Sequence, residues 1–265
     1  MFTHNTLSIG NKPIPNILVS CDHGLMIVNR FDNTSISVGL MVLDHGNNNT
    51  VEADLTMKSL SKVDNPIVFD VGSNIGTYAT WVAKWAAEKN GKVYCFEPQR
   101  IVFQMLCGNM SLNNIFNVYA HNIALGDEEK IILMNEPDYT QSGSFAAFSL
   151  DGVDREKYNV VSKQQSIQMT TVDNFVSHWN IPKVDFIKVD AEGFDMEVLY
   201  GAKNVIEKFK PDLFVEYLHV GPTKKIDSRE EGKNNLTRYL NNIGYNTYIL
   251  GDNRSEEHTS ELQSH

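Results

Sequence analysis

A chain of 265 residues with 42% hydrophobic and 21% charged side chains has the make-up of a folded globular protein, long enough for one α/β domain and an added piece. Its formal net charge of −10 argues against a nucleic-acid partner, whose phosphate backbone calls for clustered Lys and Arg. An acidic surface is compatible with a neutral substrate or a cation, and serves solubility in either case.

Residues 1–20 carry no basic start followed by an apolar stretch, and no apolar run approaches the roughly 18 residues that a membrane helix needs. A soluble protein without a signal peptide or a membrane partner is therefore expected. Cys21, Cys95 and Cys107 are widely spaced and form no CxxC pair. That sparse, odd count predicts reduced thiols in a cytoplasmic protein, not a disulfide frame or a zinc site. Residues 1–64 read as a strand-rich N-terminal extension, with candidate strands at 25–28 and 36–43.

Over residues 65–253, short apolar runs alternate with helical stretches. The β-branched and aromatic run Ile67–Val71 ends at Gly72, a strand followed by a turn. Ile75, Tyr78, Ala79, Val82 and Ala86 then recur at helical spacing. Strands are predicted at 93–96 and 117–124, separated by a helix over 100–113, and 130–134 reads as a hairpin extension of the second of them. Residues 142–166 read as an irregular polar loop. A short helix over 171–179 leads to a buried strand at 184–189 and to a helix that carries Val198, Leu199, Ala202, Val205, Ile206 and Phe209 on one face. Further strands are predicted at 213–217 and 245–250, with a helix at 236–243 between them. Such alternation implies a doubly wound α/β fold, a mostly parallel sheet with helices on both faces.

Residues 254–265 read RSEEHTSELQSH, with neither helical period nor strand alternation. They resemble the translation of a sequencing-library adapter, which predicts a truncated gene product whose tail packs against nothing. The sheet is then expected to lack its last, antiparallel strand, which would leave 245–250 with an open edge.

Three motifs carry chemistry. In Asp70-Val71-Gly72-Ser73-Asn74-Ile75-Gly76, a strand runs into a glycine turn and a helix, so that the backbone can approach a ligand and the helix start can offer unpaired N–H groups. Asn74 and Thr77 stand where the dinucleotide pattern G-x-G-x-x-G needs glycine, so a carboxylate-bearing ligand fits better than a pyrophosphate. By itself the turn is equally a plain tight turn. Glu97, followed by the turn-fixing Pro98, ends the second strand, where an acid accepts hydrogen bonds from vicinal ribose hydroxyls; alone, it could equally be a solvated acid. Lys188-Val189-Asp190-Ala191-Glu192-Gly193 closes the strand at 184–189, at the end where open parallel sheets bind ligands. Lys188 sits within an apolar strand and needs a carboxylate partner, so a structural ion pair and a catalytic role both stay open.

Together these motifs resemble the FkbM-type methyltransferase family. The resemblance runs from about His23 to Leu250 and takes in Ala124-Leu125-Gly126-Asp127, Thr170-Thr171-Val172-Asp173 and Lys188 to Ala202. Ser73 and Asp195 are small departures from its usual Ala and Glu. The resemblance implies a Rossmann-like class I fold, S-adenosyl-L-methionine as cofactor, and O-methylation of a hydroxyl on a sugar or other small-molecule acceptor. Within that frame the glycine turn (Asp70, Gly72, Asn74, Gly76) is expected to hold the methionine end, with Asp70 near its ammonium. Glu97 and Pro98 are expected at the ribose, and Asn122 and Ile123 at the adenine. Lys188 and Asp190 are the candidate catalytic pair, with Asp190 as general base. A magnesium ion shared by Asp190 and Glu216 is the less favoured alternative, because two carboxylates are too few to specify a metal site. A catalytically silent binding domain and an NAD-dependent oxidoreductase are the other readings; Asn74 and Thr77 disfavour the second. The oligomeric state is not encoded in any pattern we can read.

Overall fold

The computed structural model describes residues 8–9, 12–33, 38–45, 50–145, 161–217, 229–250 and 260–264. Two short strands, β1 (Ser8–Ile9) and β2 (Lys12–Pro13), precede a hairpin of β3 (Asn16–Cys21) and β4 (Gly24–Asn29). Helices α1 (Val38–His45) and α2 (Thr50–Ser59) follow. The alternation then begins with β5 (Ile67–Val71), α3 (Thr77–Ala87), β6 (Lys92–Phe96), α4 (Arg100–Leu112) and β7 (Val118–His121). A side sheet is supplied by β8 (Ala124–Leu125), β9 (Lys130–Pro137) and β10 (Val161–Thr170). The chain returns through α5 (Val172–His178), β11 (Phe186–Val189), α6 (Asp195–Gly201), α7 (Lys203–Phe209) and β12 (Asp212–Tyr217). Last come α8 (Arg229–Asn242), β13 (Thr247–Leu250) and β14 (Ser260–Ser264).

The main sheet has the order β13-β14-β12-β11-β5-β6-β7, parallel throughout except for β14. All five residues of β5 are buried, as a central strand covered on both faces requires. One face, with Val68, Val93, Phe186 and Phe214, packs on Tyr78, Val82 and Leu106 of α3 and α4. The other, with Phe69, Val71, Ile187 and Val215, packs on Phe175, Val198, Ile206 and Leu236 of α5 to α8. The doubly wound fold is thus as the alternation implied. The chain leaves β5 for β6 on one side and comes back as β11 on the other. The carboxyl ends of β5 and β11 therefore flank a topological switch point, where such sheets open a crevice.

Several local expectations are corrected. Residues 36–43 were expected as a strand, but Val38–His45 is helix. Asp32 accepts the N–H of Gly39 in its first turn at 2.9 Å, and Val42 is buried against Met26 and Val28 of the hairpin. Residues 161–166 belong to β10, not to a loop; they pair antiparallel with β9, and residues 146–160 of that expected loop lie outside the described residues. The single helix expected after β11 is two, broken at Ala202. Residues 260–264 do not stand apart: β14 pairs antiparallel with both β12 and β13, so the expected missing strand is filled. The unpaired N–H and C=O row of β12 accepts any extended segment, because backbone groups carry no sequence code.

Side sheet and main fold meet closely where Gly201 ends α6. A Cβ there would collide with the carbonyl oxygen of Gly126, which is backbone and cannot swing aside. Gly201→Ala should cost about 1–3 kcal/mol of stability, the usual penalty for overpacking. Urea unfolding of the variant checks this.

Candidate functional site

The strand ends at the switch point are laced together before any ligand is considered. Asp190 N–H donates to Val71 O at 3.0 Å, and the N–H groups of Gly72 and Ser73 donate to Phe96 O at 3.0 and 3.1 Å. Gly72 has φ +80, and a Cβ on it would collide with the carbonyl oxygen of Asp190. Only glycine lets the loops after β5 and β11 lie this close. Asn74 adopts φ +49, and its side chain accepts the Ile75 N–H at 2.7 Å. Its own N–H donates to Glu97 Oε2 at 2.9 Å, and that of Gln99 donates to Glu97 Oε1 at 2.8 Å. Gly76 N–H donates to Ser73 O. The N–H groups of residues 72–76, ahead of the helix start at Thr77, are thus spent on the end of β6 and within the turn itself.

Above this lacing lies an open cavity. Of the residues singled out from sequence, Gly72, Asn74, Glu97, Pro98, Ile123, Lys188 and Asp190 line it. Asp70 is fully buried beside Lys188, and Gly76 is buried against Leu106 and Met110. Asn122 stands outside the lining; its Nδ2 donates to the carbonyls of Glu97 and Pro98 at 2.8 and 3.0 Å and so holds that turn. The lining also contains Thr77, Tyr78, Gln99, Leu125 and Glu192, which were not singled out. Tyr78 was read only as part of a helix's apolar face, while Gln99 and Glu192 adjoin residues that were named.

Register explains the charge arrangement. Lys188 on β11 is the direct partner of Asp70 on β5, so both side chains share the face toward α3. Lys188 Nζ lies 3.7 Å from Asp70 Oδ1 and donates to Asp190 Oδ2 at 2.9 Å, with its ammonium 5.4 Å from the centre of the Tyr78 ring. Burial works against the Lys188 charge, but Asp190 and Asp70 more than offset it and raise its pKa. Burial raises the Asp70 pKa, opposed by Lys188. Burial also lifts Glu97 to about 7 against its two backbone donors.

Asp195 starts α6 and accepts the Ala191 N–H at 2.9 Å, which holds the loop that carries Asp190; burial lifts it to about 7. Glu216 of β12 is pushed well up by burial and then by the Asp190 charge. Oxygen atoms of Asp190, Glu192 and Glu216 lie within 4.8 Å of one another, so Glu192 joins the two carboxylates expected from sequence. Asp190 has 28% of its side chain exposed and an ammonium bonded to it.

Comparison with known proteins agrees with this geometry. A model of the methyltransferase FkbM domain matches residues 70–247. The chain is 26% identical over 196 residues to the hexuronic acid methyltransferase AglP of Haloferax volcanii, covering 73% of this chain and 69% of that protein. It is 27% identical over 152 residues to Methyltransferase 1 of Beauveria bassiana, covering 52% of this chain and 59% of that one. Among solved structures, a methyltransferase FkbM from Methylobacillus flagellatus superposes with a TM-score of 0.50 at 20% identity, over 76% of this chain and 43% of that one. A putative O-methyltransferase from Klebsiella pneumoniae gives 0.51 at 10% identity, over 82% and 80%, a likeness of fold. With the glycine turn, Glu97 and the Lys188–Asp190 pair converging on one cavity, the chain belongs to the FkbM methyltransferase family.

Proposed function

We propose that this protein transfers a methyl group from S-adenosyl-L-methionine to a hydroxyl of a sugar or related small-molecule acceptor. The observation that carries the reading is the single cavity at the switch point, lined by both the expected cofactor residues and the candidate base. Two relatives, the hexuronic acid methyltransferase and a 2-O-methyltransferase NoeI of Sinorhizobium fredii at 22% identity, are named for sugar or O-linked chemistry, which supports the acceptor class.

In this reading Glu97 takes the ribose hydroxyls, flanked by Pro98. Gly72 and Asn74 would shape the seat of the methionine end, buried Asp70 would act on its ammonium through the field of the site alone, and Ile123 would supply apolar cover for the adenine. Asn122 serves by holding the Glu97–Pro98 turn. When bound, the cofactor supplies a methyl group already activated by a sulfonium, so the protein's task is alignment and removal of one proton. Asp190 accepts the proton of the acceptor hydroxyl. Lys188 bonds and orients it, and burial with the Asp190 charge pushes Glu216 toward its protonated form. Lys188 bonds Asp190 directly, which favours this scheme over a magnesium ion shared by Asp190 and Glu216.

Three outcomes are expected. Glu97→Ala should weaken S-adenosylhomocysteine binding tenfold or more, since a hydrogen bond to a charged group contributes about 1.5–3 kcal/mol; unchanged affinity in calorimetric titration would remove Glu97 from the ribose site. The ionised form of Glu97 binds best and its pKa is about 7, so affinity should rise as pH increases through neutrality. From pH 6 to pH 8 the gain should be about tenfold, and Glu97→Gln should flatten it. In methyl-transfer assays on a panel of glycosides and alcohols, Asp190→Asn should abolish turnover while chelator leaves the native protein active. Loss with chelator, restored by magnesium, would instead favour the metal.

A further inference from the structure

Pro98 lines a second cavity, of about 230 Å³, between the start of α4 and the side sheet. Arg100, Glu136, Lys163 and Gln165 also line it. Opposed positions in β9 and β10 place Glu136 beside Lys163 and Met134 beside Gln165, so these four side chains share the face that carries the apolar contacts of Met134 and Ile167. The Glu136 carboxylate is 5% exposed and receives Arg100 at 3.1 Å and Lys163 at 3.3 Å. Both cations are themselves substantially open, at 45% and 61%.

Two features show what this arrangement lacks. The amide Nε2 of Gln165 is covered from solvent and has no hydrogen-bond partner among the described residues. A buried donor without an acceptor is a standing cost that a ligand oxygen would remove. In addition, α4 begins at Arg100 with no side-chain cap from Gln99, so the positive end of a 13-residue helix adjoins the same groove. Two cations, a helix start and an orphaned donor face one carboxylate. Among the described residues that line the groove the balance is positive, in a chain whose net charge is −10. Gln168 also lines the groove and adds an amide group able to bond a hydroxyl.

We propose that this groove is an oxyanion subsite that takes the carboxylate or phosphate of a charged carbohydrate. The proposal concerns a different cavity from the methyl-transfer reading and stands on separate observations, so either can fail alone. Calorimetric titrations of the full chain at low salt with glucuronate, glucose 1-phosphate, inorganic phosphate and glucose test it. One or both charged sugars should bind saturably and glucose should not; the stronger of the two identifies carboxylate or phosphate as the natural group. Arg100→Gln with Lys163→Gln should weaken that binding at least tenfold while leaving S-adenosylhomocysteine affinity unchanged. Gln165→Leu, which removes an unsatisfied donor, should keep the thermal midpoint and still weaken the anion, so it decides the matter if the double variant fails to fold. Binding of inorganic phosphate alone would mark an adventitious ion only and overturn the proposal. So would charged sugars that bind no better than glucose, or variants that lower the thermal midpoint without changing anion affinity, which would reduce the Arg100–Glu136–Lys163 set to a structural clamp.

Discussion

A lysine ammonium buried inside a parallel sheet is stable only if carboxylates meet it there. At 3% exposure Lys188 has almost no water to solvate it, and Asp70 on the neighbouring strand and Asp190 at its own strand's end supply the compensation. Much of the site's geometry follows from that pairing. Asp70 and Lys188 are register partners, so β5 and β11 must pair in this register for the charges to meet. The loop after β11 must then lie against Gly72, and only a glycine there leaves room for the Asp190 carbonyl. Removing one member would leave an uncompensated charge inside the sheet, a larger loss than that of the pair together.

This constraint also separates the acids. Glu97, Asp195 and Glu216 all have raised pKa values, each because burial disfavours the charged form. Asp190 is in direct contact with an ammonium and partly open to the cavity. Carboxyl groups of identical chemistry are thereby given different tasks by environment. Asp195 holds the loop, Glu97 ties the turn after β5 to the end of β6 through the Asn74 N–H, and Asp190 faces the cavity with an ammonium bonded to it.

The main sheet was legible in the sequence because its signals are local. Ile67–Val71, the glycine turn and the apolar runs each declare a strand or its end within a few residues. Glu97 and Asp190 could be placed on one crevice because parallel strands bring their carboxyl ends together whatever lies between. What was misread depended on distant partners. The 36–43 stretch is rich in β-branched and apolar residues, and from Val38 onward it is helical through an acceptor at Asp32 and a hairpin to pack on. In β10 the alternation Lys163, Gln165, Ile167, Met169 is half polar, so it read as loop; its polar half faces Glu136 and Arg100, which lie about thirty and sixty residues away. For Asn122 the position beside the Glu97–Pro98 turn was legible, and its bonds to those two carbonyls were not.

Why the chemistry gathers on one side of the cavity follows from which groups the backbone has already used. The turn from Gly72 to Gly76 spends its N–H groups on Phe96, Glu97, Asn74 and Ser73, so that wall is rigid and presents a shape more than a set of free donors. A cofactor seated there would be held by fit, by the Glu97 carboxylate and by apolar contact, all of which need little motion. The opposite wall is built from side chains at a strand end and a five-residue loop, where Asp190 and Glu216 share one neighbourhood. Burial and the Asp190 charge push the Glu216 carboxyl up, while the Lys188 ammonium bonds Asp190 directly. Two carboxyls of one neighbourhood thus differ in surroundings, and that difference depends on the buried lysine from which the arrangement starts.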